Sequence, residues 1–210
     1  MIVKNSFGAT ADGRAVDCYT IKNSLETAVD IITYGATVNS IYVADKNGIF
    51  ADVLAGFDTI EGHENHSDYE GMTVGRYANR IAGGKFSIDG VEYNVEKNER
   101  GITCLHGGAE LSTAVWKAII IDDNSLEMTY TSPDGAMGFP GKVDFKVVFT
   151  LHEDNALKIE YYAVSDKKTV LNMTNHAYFN LAGKGNVLDH ILQINADAYT
   201  PIDENSIPTG

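Results

Sequence analysis

VDFKVVFTLHEDNALKIEYYAVS, residues 143–165, contains two period-two runs separated by a polar turn. Val143, Phe145, Val147, Phe149 and Leu151 share one face of the first run; Leu157, Ile159, Tyr161 and Ala163 share one face of the second. Successive side chains on a strand point to opposite faces, so each run is built to bury one face and wet the other. Glu153-Asp154-Asn155 supplies the turn between them, and the stretch reads as two antiparallel strands.

The same pattern continues outward. Trp116, Ala118 and Ile120 alternate before the turn Asp122-Asp123-Asn124-Ser125, and Leu126, Met128 and Tyr130 alternate after it. Further upstream, Phe86, Ile88, Val91, Tyr93 and Val95 flank Asp89-Gly90, a dipeptide suited to the positive φ angles of a type I′ hairpin turn. This predicts Ile88 opposite Val91 and Phe86 opposite Tyr93. No window sustains the i, i+3, i+4, i+7 spacing of an amphipathic helix, so the chain is all-β. Sequential antiparallel strands with short polar turns favour an antiparallel β-sandwich. Between residues 57 and 71, FDTIEGHENHSDYEG breaks the alternation and reads as a loop with room for one helical turn. No repeat, low-complexity tract or linker divides the chain, so residues 1–210 are read as a single β-sandwich domain.

Sixteen Lys and Arg stand against 29 Asp and Glu, a formal charge of −13, which repels nucleic acid and anionic membranes alike. The first twenty residues lack the apolar stretch of a secretory signal and no later run is long enough to span a bilayer, which makes cytoplasmic the expected localisation. Cys18 and Cys104 are too few for a disulfide framework, lack CxxC spacing, and read as ordinary thiols. There is no phosphate loop, GxSxG elbow, HExxH or GxGxxG, and no cofactor is suggested. His63-Glu64-Asn65-His66 sits in the irregular acidic stretch without a recognisable third ligand, so it reads as a surface loop and no metal site is expected.

TVLNMTNHAYFNLAG, residues 169–183, reads as a strand with two chemically opposed faces. Leu171, Met173, Ala177, Phe179 and Leu181 form an apolar face; Asn172, Thr174, His176, Tyr178 and Asn180 form a row of hydrogen-bonding groups. A sugar needs polar partners for its hydroxyls and an aromatic surface for its C–H face, which such a row supplies. A solvated face would carry Lys and Glu, yet residues 169–183 contain no charge. His106 precedes Gly107-Gly108, where a tight turn or a close ligand approach is allowed. Arg80 precedes Gly83-Gly84. By pattern alone, His106 reads more readily as a structural histidine beside a turn, and Arg80 more readily as a surface charge at a strand end.

Together, GRYANRIAGGKF (75–86), LHGG (105–108), GFPG (138–141) and TNHAYFNLAG (174–183) resemble the aldose 1-epimerase, or galactose mutarotase, family in order and spacing. YGATVNSIYVADKNG (34–48), AGFDTIEGH (55–63) and DAYTPIDENSIPTG (197–210) extend the resemblance over nearly the whole chain. It implies a galactose mutarotase-like sandwich that interconverts the α and β anomers of free hexoses such as galactose and glucose without a cofactor. It further implies that His176 is the acid that protonates the ring oxygen. Asn79, Arg80, His106 and Tyr178 would hold the hydroxyls, Ala177 would contribute at most its backbone, and Arg76 would support this wall of the cleft.

In the family a glutamate takes the proton of the anomeric hydroxyl. That glutamate, with an aspartate and a glutamine of the site, lies beyond the point matching Gly210, so the chain is expected to be truncated at its C-terminus and to form an oligomer or require the missing segment. Two alternatives follow: a non-catalytic sugar-binding remnant that lacks the base, and a hexose-6-phosphate 1-epimerase, against which the acidic balance argues. A glycosidase would need two positioned carboxylates, and none stands out near these histidines.

Overall fold

The computed structural model describes residues 1–66 and 68–210. Ser67, within the stretch read above as a loop, lies outside the described residues. Strands β1 (Ile2–Ala9), β2 (Ala15–Lys22), β3 (Ala28–Ile32), β4 (Thr37–Ala44) and β5 (Phe50–Asp52) form an antiparallel sheet in chain order. The single-turn helix α1 (Ile60–Asn65) follows, capped by Thr59, whose side chain accepts the Gly62 N–H. Next come β6 (Thr73–Val74), β7 (Arg80–Ile81), the hairpin β8 (Lys85–Ile88) and β9 (Val91–Asn94), β10 (Cys104–Leu105) and a short helix α2 (Glu110–Thr113). A second antiparallel sheet, again in chain order, holds β11 (Lys117–Ile120), β12 (Ser125–Ser132), β13 (Val143–Leu151) and β14 (Leu157–Ser165). β15 (Thr174–Asn175) returns to pair with β6, and β10 pairs with β7.

The registers follow the alternation. Phe149 lies opposite Ile159 and Phe145 opposite Ala163. In the hairpin, Phe86 faces Tyr93 and Ile88 faces Val91, with the two rings stacked at a centroid distance of 5.7 Å. Tyr19, Ile21, Val29, Ile31 and Val38 of the first sheet and Leu126, Met128, Phe145, Val147 and Phe149 of the second meet in one buried cluster closed by Trp116, the core of a sandwich. The other side of the first sheet carries Val16 and Ile32, covered by Ile60 of α1, Met72 and Val74. A third cluster of Ile81, Val95, Cys104 and Phe139 anchors β7 and β10 beneath the loops that follow them.

Two expectations need correction. Residues 169–183 are not one continuous strand: only Thr174–Asn175 is regular, and the remainder is laced to two separate edges. Asn172 N–H donates to Arg76 O and His176 N–H to Met72 O, whereas Asn180 N–H donates to Val53 O and Tyr178 O accepts from Ala55 N–H. The segment therefore leaves one neighbour for another in mid-course. Its apolar side is only partly used: Met173 and Ala177 pack on the main core, while Phe179 and Leu181 are 54% and 70% exposed.

The second correction concerns His63. It is buried and not part of a surface loop, because α1 turns it inward against Phe57, with ring centroids 4.9 Å apart, and towards Phe7 and Tyr34. Its Nε2 lies 2.8 Å from Asn39 Oδ1. Asn39 Nδ2 donates to Phe57 O, so Oδ1 is the acceptor and Nε2 carries the proton. Burial lowers the His63 pKa to about 4, which keeps the ring neutral.

Candidate sugar site

The site begins with the pairing of β7 and β10, which sets Leu105 opposite Arg80. One step beyond, the backbones of Asn79 and His106 both turn left-handed, with φ 65° and 56°. Asparagine and histidine are both among the residues that enter this conformation most readily, and contacts on both sides hold it here. His106 N–H donates to Asn79 O at 2.9 Å, and Asn79 N–H donates to His106 Nδ1 at 3.1 Å. Behind the imidazole, Gly107 at φ 74° lies directly against the backbone of Gly75 and Arg76, where any side chain would overlap. The close approach anticipated from Gly107-Gly108 is made by the protein's own backbone.

The segment around β15 carries His176 to the same place. Its ring meets that of His106 edge-on at 4.8 Å between centroids, and Tyr178 lies 5.1 Å from His176. Tyr69 closes the group, 4.8 Å from His106 and 5.9 Å from His176. Asn79, Arg80, His106, His176 and Tyr178 thus line one open cleft of about 280 Å³, together with Asp68, Tyr69 and Leu105. Five of the six residues named from the sequence come together. The sixth, Ala177, points its methyl to the core. Asn180 is elsewhere: its side chain ties the turn at Ala182, Lys184 and Gly185.

Arg76 is wholly buried behind this wall. Its guanidinium donates to Ser132 Oγ and to the carbonyls of Pro133, Pro140 and Gly141 at 2.7–3.2 Å. Its part in the cleft is to hold backbone, and its own carbonyl receives Asn172 N–H.

Arg80 is not a free surface charge. Its Nε and Nη2 each lie 2.7 Å from a Glu99 oxygen, and Thr103 Oγ1 adds a third hydrogen bond to that carboxylate at 2.6 Å. These donors, Arg80 first, hold the Glu99 pKa down to about 2. Burial, followed by the neighbouring His176 and Arg80, lowers the His106 pKa to about 4. A neutral His106 whose Nδ1 accepts from backbone carries its proton on Nε2, as a donor. Asp68, Tyr69 and Glu99 were not singled out from the sequence: Asp68 and Tyr69 lie in the irregular stretch before β6, and nothing local marks Glu99 as the partner of Arg80.

Among the described residues, no three His, Cys, Asp or Glu side chains are arranged to hold a metal, and no helix is long and apolar enough to cross a membrane. Burial pushes the thiols up, Cys18 to about 12 and Cys104 to about 11, away from nucleophilic character.

The chain is similar to several known proteins. Galactose mutarotase of Bos taurus is 43% identical over 185 residues, covering 87% of this chain and 53% of that protein. Galactose mutarotase of Rattus norvegicus is 39% identical over 213 residues, covering all of this chain and 61% of that protein. The crystal structure of an aldose epimerase homologue from C. elegans superposes with a TM-score of 0.86 at 34% identity, covering 91% of this chain and 59% of that one. The chain thus spans between about half and three fifths of the length of these relatives. The model of the aldose 1-epimerase family matches residues 17–210, which include every residue of the cleft, and the chain belongs to that family.

Proposed function

We propose that this chain forms the sugar-holding wall, and supplies the proton donor, of an aldose 1-epimerase acting on free hexoses such as galactose and glucose. The observation that carries the reading is the convergence of His106, His176, Arg80, Asn79 and two tyrosines on one open cleft. Neutral His106 offers Nε2–H to a hydroxyl, Arg80 offers the free edge of its guanidinium, and Tyr69 and Tyr178 present rings to the C–H face. His176 protonates the ring oxygen as the C1–O5 bond breaks, while a base across the ring takes the O1 proton. Rotation about C1–C2 and reclosure with the proton transfers reversed gives the other anomer. Imidazole suits this exchange because its ring nitrogens can both donate and accept a proton.

Asp68 is the carboxylate that the described residues bring to the cleft. The resemblance assigns the base instead to a glutamate in the part of the relatives that this chain does not span. Polarimetry with freshly dissolved α-D-galactose and α-D-glucose tests the reading. Optical rotation should relax faster than in buffer alone; relaxation at the buffer rate with sugar still bound would make the protein a binder.

A further inference from the structure

We propose that Glu99 is a positioning residue for sugar recognition, acting through Arg80 and without touching the sugar; this rests on the reading of the cleft given above. Arg80 lines the cleft and Glu99 does not. The carboxylate engages Nε and Nη2, one whole edge of the guanidinium, with both bonds at 2.7 Å. Nη1 is left with a single long contact, 3.3 Å to Asn79 Oδ1, and together with the second N–H of Nη2 makes up the edge available to a ligand. A planar fork gripped along one edge cannot rotate, so the direction of Nη1 is set before sugar arrives. A single-point contact would leave it swinging.

Glu99 is itself held on three sides. Arg100 and Gly101, at φ 53° and 70°, turn the chain tightly, and Ile102 N–H and Thr103 N–H both return to Glu99 O. Thr103 Oγ1 fixes the carboxylate. Asn98 clamps the base of this turn to β10, its amide donating to Leu105 O at 2.9 Å and accepting Leu105 N–H at 2.8 Å. Leu105 is the residue in register with Arg80, so the turn, the strand and the guanidinium form one rigid unit. The pair is only about one-fifth exposed, with 22% of the Arg80 side chain and 18% of the Glu99 side chain accessible, less open than ordinary surface ion pairs.

The test is Glu99→Ala and Glu99→Gln, alone and in an Arg80→Lys background, by polarimetry on α-D-galactose, with thermal denaturation to confirm folding. Glu99→Ala should lower kcat/KM by between about ten- and a hundredfold, with the loss larger in KM than in kcat. Glu99→Gln, which retains one acceptor, should recover part of it. In the Arg80→Lys background, Glu99→Ala should cost less than about threefold more, because the role runs through the fork. A separate readout needs no sugar: the Arg80 Nε–H NMR signal should exchange with solvent at least about tenfold faster in Glu99→Ala.

Equal losses in both backgrounds, or kcat/KM within twofold of the parent, would overturn the inference and leave the function standing. A parent that neither binds nor turns over sugar, with Arg80 Nε–H protected only when Glu99 is present, would overturn the function and leave the positioning of Arg80 in place. Unchanged Nε–H exchange would overturn the inference whatever the activity.

Discussion

Asn79 and His106 hold each other through two reciprocal hydrogen bonds, Asn79 N–H to the His106 imidazole at 3.1 Å and His106 N–H to Asn79 O at 2.9 Å. The first bond fixes the tautomer and the second fixes the backbone from which the ring projects. His106 should therefore give the NMR pattern of a neutral imidazole with its proton on Nε2 down to about pH 5, since its pKa lies near 4. His106→Ala should weaken sugar binding by about 1 kcal/mol and Arg80→Ala by about 1.5–3 kcal/mol, the difference between a neutral and a charged hydrogen bond. Steady-state constants unchanged in both variants would remove these residues from the site.

His176 is the chain's proton donor in the proposed reaction. It should tolerate replacement structurally, because its backbone and not its ring makes the contacts to Met72 and Gly71. His176→Asn should lower kcat by at least about a hundredfold with little change in melting temperature. Near-parental mutarotation in that variant would show the proton comes from elsewhere.

Gly107 is where the cleft meets the backbone behind it. At φ 74°, with Gly75 and Arg76 directly against it, an added methyl group meets both conformational strain and steric overlap. Gly107→Ala should cost more than about 3 kcal/mol of stability, measured by denaturant titration, and should displace His106. Gly90→Ala is the control: its φ is also positive, but the space around it is open, so the cost should stay near 1 kcal/mol.

Acid should destabilise the protein in two steps. The folded pKa values of His63 and His106, about 4, lie below that of a free imidazole, so the unfolded chain binds protons first as pH falls below about 6.5. Stability is then lost between roughly pH 6.5 and 4, by at most about 3 kcal/mol for each ring. Glu99, held near 2, contributes stability above its unfolded value that disappears as pH falls from about 4.5 towards 2. Melting temperature measured from pH 7 to 3 should fall throughout, and His63→Gln should flatten the upper part of the curve. A flat profile between pH 7 and 4 would contradict the buried neutral state of both rings.

Leu188, Ile191, Leu192 and Tyr199 are each more than 80% exposed, and on β14 the inward-facing Leu157, Ile159 and Tyr161 are only half-buried. Apolar surface of this extent promotes association. The 210-residue chain alone should elute above monomer mass in size-exclusion chromatography, and Ile191→Glu with Leu192→Lys should shift it towards the monomer. A parent chain that stays monomeric at high concentration would show that this surface does not drive association.

The sequence by itself determined the elements whose logic is local. The hairpin register of Phe86 and Tyr93, and the pairing of Val143–Leu151 with Leu157–Ser165, follow from period-two burial and a short turn, both written within twenty-odd residues. The motifs around Arg80, His106 and His176 named the sugar-facing candidates by resemblance. Only the tertiary structure decided what these groups do to one another. Glu99 grips Arg80 across a turn, His106 takes its tautomer from Asn79, and Arg76 retreats behind the wall to carbonyls more than fifty residues away. His63 looked like part of a surface loop because its neighbours in sequence are polar, yet α1 rotates it into an aromatic pocket. Residues 169–183 alternate as a strand should, but their backbone partners lie near residues 53–55 and 71–78. Hydrogen bonds to distant backbone depend on how the sheets come together, and no local pattern of side chains encodes that.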